Sequence, residues 1–321
     1  MNRFCELILK GLRRKVVPLF YNQSKIERTV IPSDLNGTNK VIFDAILRKK
    51  PYMVARFGSV EICALANYVG VRDNPHSVIK YLKGEINEWW WSRTSINQLQ
   101  SNAGFFPISE NNIIKYGELM TKDAQEVDLL GSWVPEEFYF REELVNAKKV
   151  NLEDIKPNFF WKENGYCWTQ ALEGKRVLVV HPFVETIKKQ YLNREKLFPS
   201  PKFLPEFKLL TVKSIQSIGG TCDYETWFDA LDYMKSEMDK VQYDVCIIGC
   251  GAYGFCLAAH AKRTGHVAIH LGGITQLLFG IRGNRWDNRA EWEALFNEYW
   301  VRPSSDETPT TALGVEGACY W

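Results

Sequence analysis

The second half of the chain alternates short apolar runs with amphipathic stretches, and this alternation constrains the fold more than any other feature. RVLVVHP, FKLLTVK, YDVCIIG and VAIHLGG read as strands. Between them, VETIKKQYLNREKLF, YETWFDALDYMKSEMDKV and GFCLAAHAKRTG have helical spacing. Strands that alternate with helices build a parallel sheet with covered faces. The strand runs are almost continuously apolar, as burial on both faces requires. Two earlier runs, YMVARFG and VDLLGSW, have the same character. Pro51 breaks the helical segment at about 31–50, and Gly58 opens SVEICALANYVG, which has helical spacing. The expected architecture is α/β: a Rossmann-like, mostly parallel sheet with helices on both faces. One such domain is expected over residues 41–321. It carries a mainly helical insertion at about 77–122 and is preceded by a helical extension at 1–40.

Charge argues against one class of partner. Forty Lys and Arg against 38 Asp and Glu leave a net +2, too weak a field for sequence-independent nucleic-acid binding. Several of the eight Cys fall in apolar runs such as VQYDVCIIGCGAYGFCLAA, which suits buried thiols in a reducing compartment rather than a disulfide framework. Cys246 and Cys250 with His260, His266 and His270 lack close-set zinc-knuckle spacing. The opening MNRFCELILKGLRRKVVPLFYNQ is interrupted by Lys10 and by Arg13, Arg14 and Lys15, so it reads neither as a signal peptide nor as a spanning helix. A basic amphipathic helix of this kind can lie on an anionic membrane. The expected location is the cytoplasm, with the inner face of the membrane as the place of peripheral contact.

In open parallel sheets ligands sit beyond the carboxyl ends of the strands. That rule selects Arg56–Glu61, Ser132–Trp133, His181, Gln216, Gly249–Gly254 and Gly272–Gly273. Three motifs fall there. Gly249-Cys-Gly251-Ala-Tyr-Gly254 is a G-x-G-x-x-G turn between strand and helix, suited to a diphosphate. The strand after it ends in His270 and glycines, without the acidic residue that holds the ribose of NAD. Arg56-Phe-Gly58-Ser59-Val-Glu61 places a guanidinium and a carboxylate about a glycine bend. The first offers a planar fork to phosphate, and the second is a base or an oxygen ligand for a cation. A structural ion pair at a helix start would use the same two residues. Gly272-Gly273 precedes Arg282 and Arg285, which could neutralise an anion. His181 reads either as a phosphate donor or as a satisfied strand-end histidine. Trp89, Trp90, Trp91 and Trp133 read as packing residues, with stacking on a sugar or base as the second role.

RFGSVE resembles the R-F-G-D-G-E signature of the GT-D-type glycosyltransferases. The run YDVCIIGCGAYGFCLAAHAKRTGHVAIHLGGITQLLFGIRGNRW and the closing VEGACYW resemble segments of GT-D-like proteins encoded beside polysaccharide genes. The resemblance implies transfer of a sugar from a nucleotide-diphosphate sugar, a UDP-sugar first among donors, to a glycan, lipid-linked glycan or glycoprotein. It also implies a divalent metal, manganese or magnesium. Arg56 and Glu61 match the family's Arg and Glu, but Ser59 stands where the family has Asp, and a hydroxyl is the weaker metal ligand. Glu61 is left as metal ligand, ribose ligand or catalytic base, with Asp223 a distant second base. Arg56, Gly58, Ser59, His181, Gly249, Gly251, Gly254, Gly272 and Gly273 form the expected nucleotide-sugar site. A polysaccharide pyruvyl-type transferase and a catalytically silent nucleotide- or glycan-binding scaffold are the alternatives.

Overall fold

The computed structural model describes residues 2–20, 31–73, 76–217, 222–310, 312 and 317–321. The first strand, β1, is Tyr52–Ala55, and six more follow: β2 Leu129–Ser132, β3 Lys148–Asn151, β4 Arg176–His181, β5 Lys208–Lys213, β6 Val245–Ile248 and β7 Val267–His270. They form one parallel sheet in the order β3-β2-β1-β7-β6-β4-β5. β3 is absent from the sequence expectation. Its residues, KKVN, carry one buried side chain at the sheet edge, so no apolar run marks it.

Along each central strand successive side chains serve opposite faces. Met53, Ala55, Leu178, Val180, Cys246 and Ile248 enter one apolar core. Val54, Val177, Val179, Val245 and Ile247 enter the other. The helices are α1 Arg3–Gly11, α2 Val17–Phe20, α3 Leu35–Arg48, α4 Ser59–Asp73, α5 Val78–Lys83, α6 Arg93–Ser101, α7 Glu110–Ala124, α8 Val184–Tyr191, α9 Trp227–Asp239 and α10 Gly254–Arg263. Two single turns, α11 Ile274–Leu277 and α12 Ala290–Glu293, complete the set. Helices α4, α7, α9 and α10 fill the first core. Helices α3 and α8 and the segment from α11 onward fill the second. The sheet is therefore covered on both sides, which is the physical reason its strands are apolar throughout.

Helix α3 is capped by Asp34, whose carboxylate accepts the Gly37 N–H at 2.9 Å, and it runs through residues 40 and 41, the expected boundary between extension and domain. The mainly helical insertion expected at about 77–122, which would carry helix across Trp89–Trp91, is broken. Gly84 ends α5 in a left-handed conformation. Asn67, buried in α4, then clamps the Trp89–Trp91 segment as irregular chain, donating to the Trp90 carbonyl (2.9 Å) and accepting from the Ser92 N–H (2.9 Å). A side chain that satisfies both backbone groups removes the need for helix there.

Beyond β1 the chain turns onto the first face through α4, and beyond β7 it turns onto the second through α11. Adjacent strands whose connections part to opposite faces leave a crevice at their carboxyl ends.

Candidate active site

A cavity of about 620 Å³ opens at that crevice, and residues following all seven strands line it. This size suits a ligand as large as a nucleotide-sugar. Arg56 and Glu61 reach it from β1, Trp133 from β2, Glu153 and Lys156 from β3, and His181 from β4. Ser214, Gly249 and Gly251, and Gly272 and Gly273 reach it from β5, β6 and β7. Closure comes from Arg285, Trp286, Trp292, Tyr320 and Trp321.

The two expected bends meet. A methyl group built on Gly272 (φ +63°) would lie 3.6 Å from the Arg56 guanidinium carbon, so that side chain rests against the β7 turn. A methyl group on Gly249 would lie 2.7 Å from the Gly272 carbonyl and 2.6 Å from Cβ of Thr275, so the β6 turn presses on the β7 turn. Gly249→Ala must push backbone from backbone. It is expected to cost about 1–3 kcal/mol in urea unfolding, and a variant as stable as the parent would show the contact to be loose.

Glu61 sits in the first turn of α4, where the helix dipole favours a carboxylate. Its Oε2 lies 2.0 Å from where a Cβ on Gly58 would stand, so the carboxylate is folded directly over the glycine. A side chain at position 58 would displace that carboxylate from its place over the bend. Arg56 stacks over the Trp133 ring at 5.3 Å, and the Trp133 indole is itself fixed by donation to the Phe57 carbonyl (2.9 Å). Burial pulls the Arg56 guanidinium below its ordinary pKa. The charges of Glu61 and Tyr320 oppose that shift, and Arg285 adds to it.

Two histidines in the cavity wall are held neutral. His181 is 2% exposed, and burial pushes its pKa down to about 3. Its Nδ1 accepts the Phe183 N–H at 3.0 Å, so the proton resides on Nε2 and makes that atom a hydrogen-bond donor. His270 is 4% exposed, and burial, then the Arg56 charge, push it down to about 3. Its Nδ1 faces the Ile248 carbonyl at 3.4 Å. Gly254 lies behind the cavity rather than on its wall: the His270 ring stands 2.4 Å from where its Cβ would be.

Some wall residues escaped the motif reading. Ser214 Oγ and Gln276 Oε1 are buried on this wall without a hydrogen-bond partner among the described residues. The strand-end rule that selected Gln216 also points at Ser214, two residues nearer β5. Glu153 and Lys156 follow the unrecognised β3. Tyr320 belongs to the closing segment quoted above, of which Val315 and Glu316 lie outside the described residues. Its ring packs on Gly273 and beneath the Arg285 guanidinium (4.5 Å). Trp89, Trp90, Trp91 and the exposed Asp223 do not line the cavity.

The donor set offers no all-protein cage for a metal ion, and a divalent cation held at Glu61 would draw its other ligands from substrate phosphates and water. Among the described residues no three His, Cys, Asp or Glu side chains are grouped to hold one. The bend itself offers a single carboxylate, Glu61, with a guanidinium beside it. Arg56 is the cationic group of this bend, and Lys156, Arg285 and Arg289 also line the cavity.

A family model described as a GT-D fold-like domain matches residues 158–278. No curated protein and no solved structure matches the chain. The match supports the GT-D-type resemblance, and it spans β4 to β7 with both late glycine turns. The bend bearing Arg56 and Glu61 lies outside it. The fold over that stretch is glycosyltransferase-related.

Proposed function

We propose that this protein is a nucleotide-sugar-dependent glycosyltransferase acting on a polysaccharide, lipid-linked glycan or glycoprotein acceptor. The observation that carries the reading is the Arg56 guanidinium resting on the Gly272 turn, which in turn presses on Gly249. A cation and two backbone turns are thereby gathered where a diphosphate would lie.

In the reaction an acceptor hydroxyl attacks the anomeric carbon. The carbon–phosphate oxygen bond breaks, and the nucleoside diphosphate leaves with the electron pair. Charge grows on the leaving oxygen, and preorganised donors at that point lower the barrier. Arg56 supplies the positive charge, and the Nε2–H of His181 supplies a neutral donor that needs no change of protonation. Glu61 takes the acceptor proton as general base. Tyr320, Trp286 and Trp321 offer flat faces to sugar or base.

Thermal unfolding with UDP, GDP, CMP, NADH and phosphoenolpyruvate, each with and without manganese, tests the reading. A ligand at a hundred times its Kd adds about 2.7 kcal/mol. UDP or GDP is expected to raise Tm by a few degrees, and Arg56→Gln to abolish the rise. A response to NADH alone overturns the proposal. Nucleotide binding without transfer or slow sugar-nucleotide hydrolysis would select the silent scaffold, the reading that the Ser59 substitution favours.

A further inference from the structure

The N-terminal helix leaves a stripe of large apolar side chains exposed to water, while Leu9, Leu12 and Val17 are half-buried. α1 continues through a π-helical turn, Leu12–Val16, into α2. Lys10 pairs with Glu88 at 3.2 Å. Arg13 donates to the Ile86 carbonyl at 3.4 Å and lies over the Tyr81 ring. These contacts turn the opposite side outward, where Phe4 is 69% exposed, Leu7 61% and Leu19 76%, with Ile8 and Val16 also exposed. No residue of α1 is buried. A helix stabilised by the core of its own domain would bury such side chains. α5, packed against the π-helical turn, adds the exposed side chains of Val78 and Ile79.

The charge of the segment identifies what covers this stripe. Residues 2–20 contain Arg3, Lys10, Arg13, Arg14 and Lys15 against Glu6 alone, whereas the whole chain carries only +2. Arg3, Arg14 and Lys15 are exposed beside the stripe. A second copy of the helix would bring like charges together. An apolar phase bearing negative charge satisfies both features at once. We infer that this helix docks the protein on an anionic lipid bilayer, lying in the interface with Phe4, Leu7, Ile8 and Leu19 inserted. Basic residues near such a surface each strengthen binding about fivefold. The inference is independent of the transfer chemistry proposed above. No helix among the described residues is long and apolar enough to cross the membrane, so the contact is peripheral.

Sedimentation of the full chain with phosphatidylcholine vesicles, and with vesicles carrying about one-third phosphatidylglycerol, tests this. Binding is expected to the anionic vesicles alone. It should weaken as salt rises from about 0.1 M to about 1 M and the screening length falls from about 10 to about 3 Å. The double variants Leu7→Glu/Leu19→Glu and Arg14→Glu/Lys15→Glu are each expected to lose at least tenfold in binding. Their substitutions are exposed, so Tm and the Tm rise with UDP should match the parent. Equal vesicle binding by parent and variants, or none by the parent, overturns the inference. So does a dimer in light scattering that Leu7→Glu/Leu19→Glu dissolves, because a second copy would then own the stripe.

Discussion

Glu61→Gln is expected to lower the rate of sugar transfer by about 10² to 10⁴, the usual contribution of a positioned general base. Tm should stay within a few degrees of the parent. Glutamine has the same shape, so it can still lie over Gly58 at the first turn of α4. It lacks the basic oxygen that would take the acceptor proton. Nucleotide affinity should change little, because the proposed mechanism assigns the diphosphate charge to Arg56. Single-turnover transfer and the UDP-induced Tm shift, measured side by side, separate the two contributions. A variant with parental turnover removes Glu61 from the chemistry. A variant that loses UDP binding instead assigns the carboxylate to ribose.

Acid is expected to unfold the protein early. His181 and His270 remain neutral in the folded state down to about pH 3 because burial disfavours their charged forms. In the unfolded chain they take up protons below about pH 6.5. The unfolded state then binds more protons, so stability falls as pH falls. The contribution is fully present above about 6.5 and is lost between 6.5 and 3. From pH 7 to pH 5 the loss is about 2 kcal/mol for each histidine, about 4 kcal/mol for the pair. Asp123, raised by burial, acts in the opposite sense. The measurement is therefore a difference: urea unfolding of the parent against His181→Gln/His270→Gln at pH 7, 6 and 5. Parallel pH profiles in the two proteins would refute the assignment.

The sheet was legible in the sequence wherever burial on both faces forced continuous apolar runs, as in β4, β6 and β7. It was illegible at β3, where an edge position lets Lys148 and Lys149 occupy a strand. The helix expected across the three tryptophans failed for a related reason. Their backbone is satisfied by Asn67, a residue far away in sequence, and periodicity cannot register such a partner. Within the site, the strand-end rule found the bends because parallel topology fixes where loops gather. It could not show that Gly254 faces His270 rather than the cavity, since a G-x-G-x-x-G pattern records missing side chains and not what fills the space. The neutral tautomer of His181 was equally hidden, because it depends on a backbone N–H two residues on.

The seam between β1 and β7 joins strands separated by most of the chain's length. The N-terminal half carries the guanidinium and carboxylate, and the C-terminal half carries the glycine turns. Neither half alone contains a complete clamp. A molecule gripped across that seam acts as a staple between early and late segments, so its binding energy resists their parting. If the proposed nucleotide-sugar binds there, its recognition and the closing of the sheet would be thermodynamically linked.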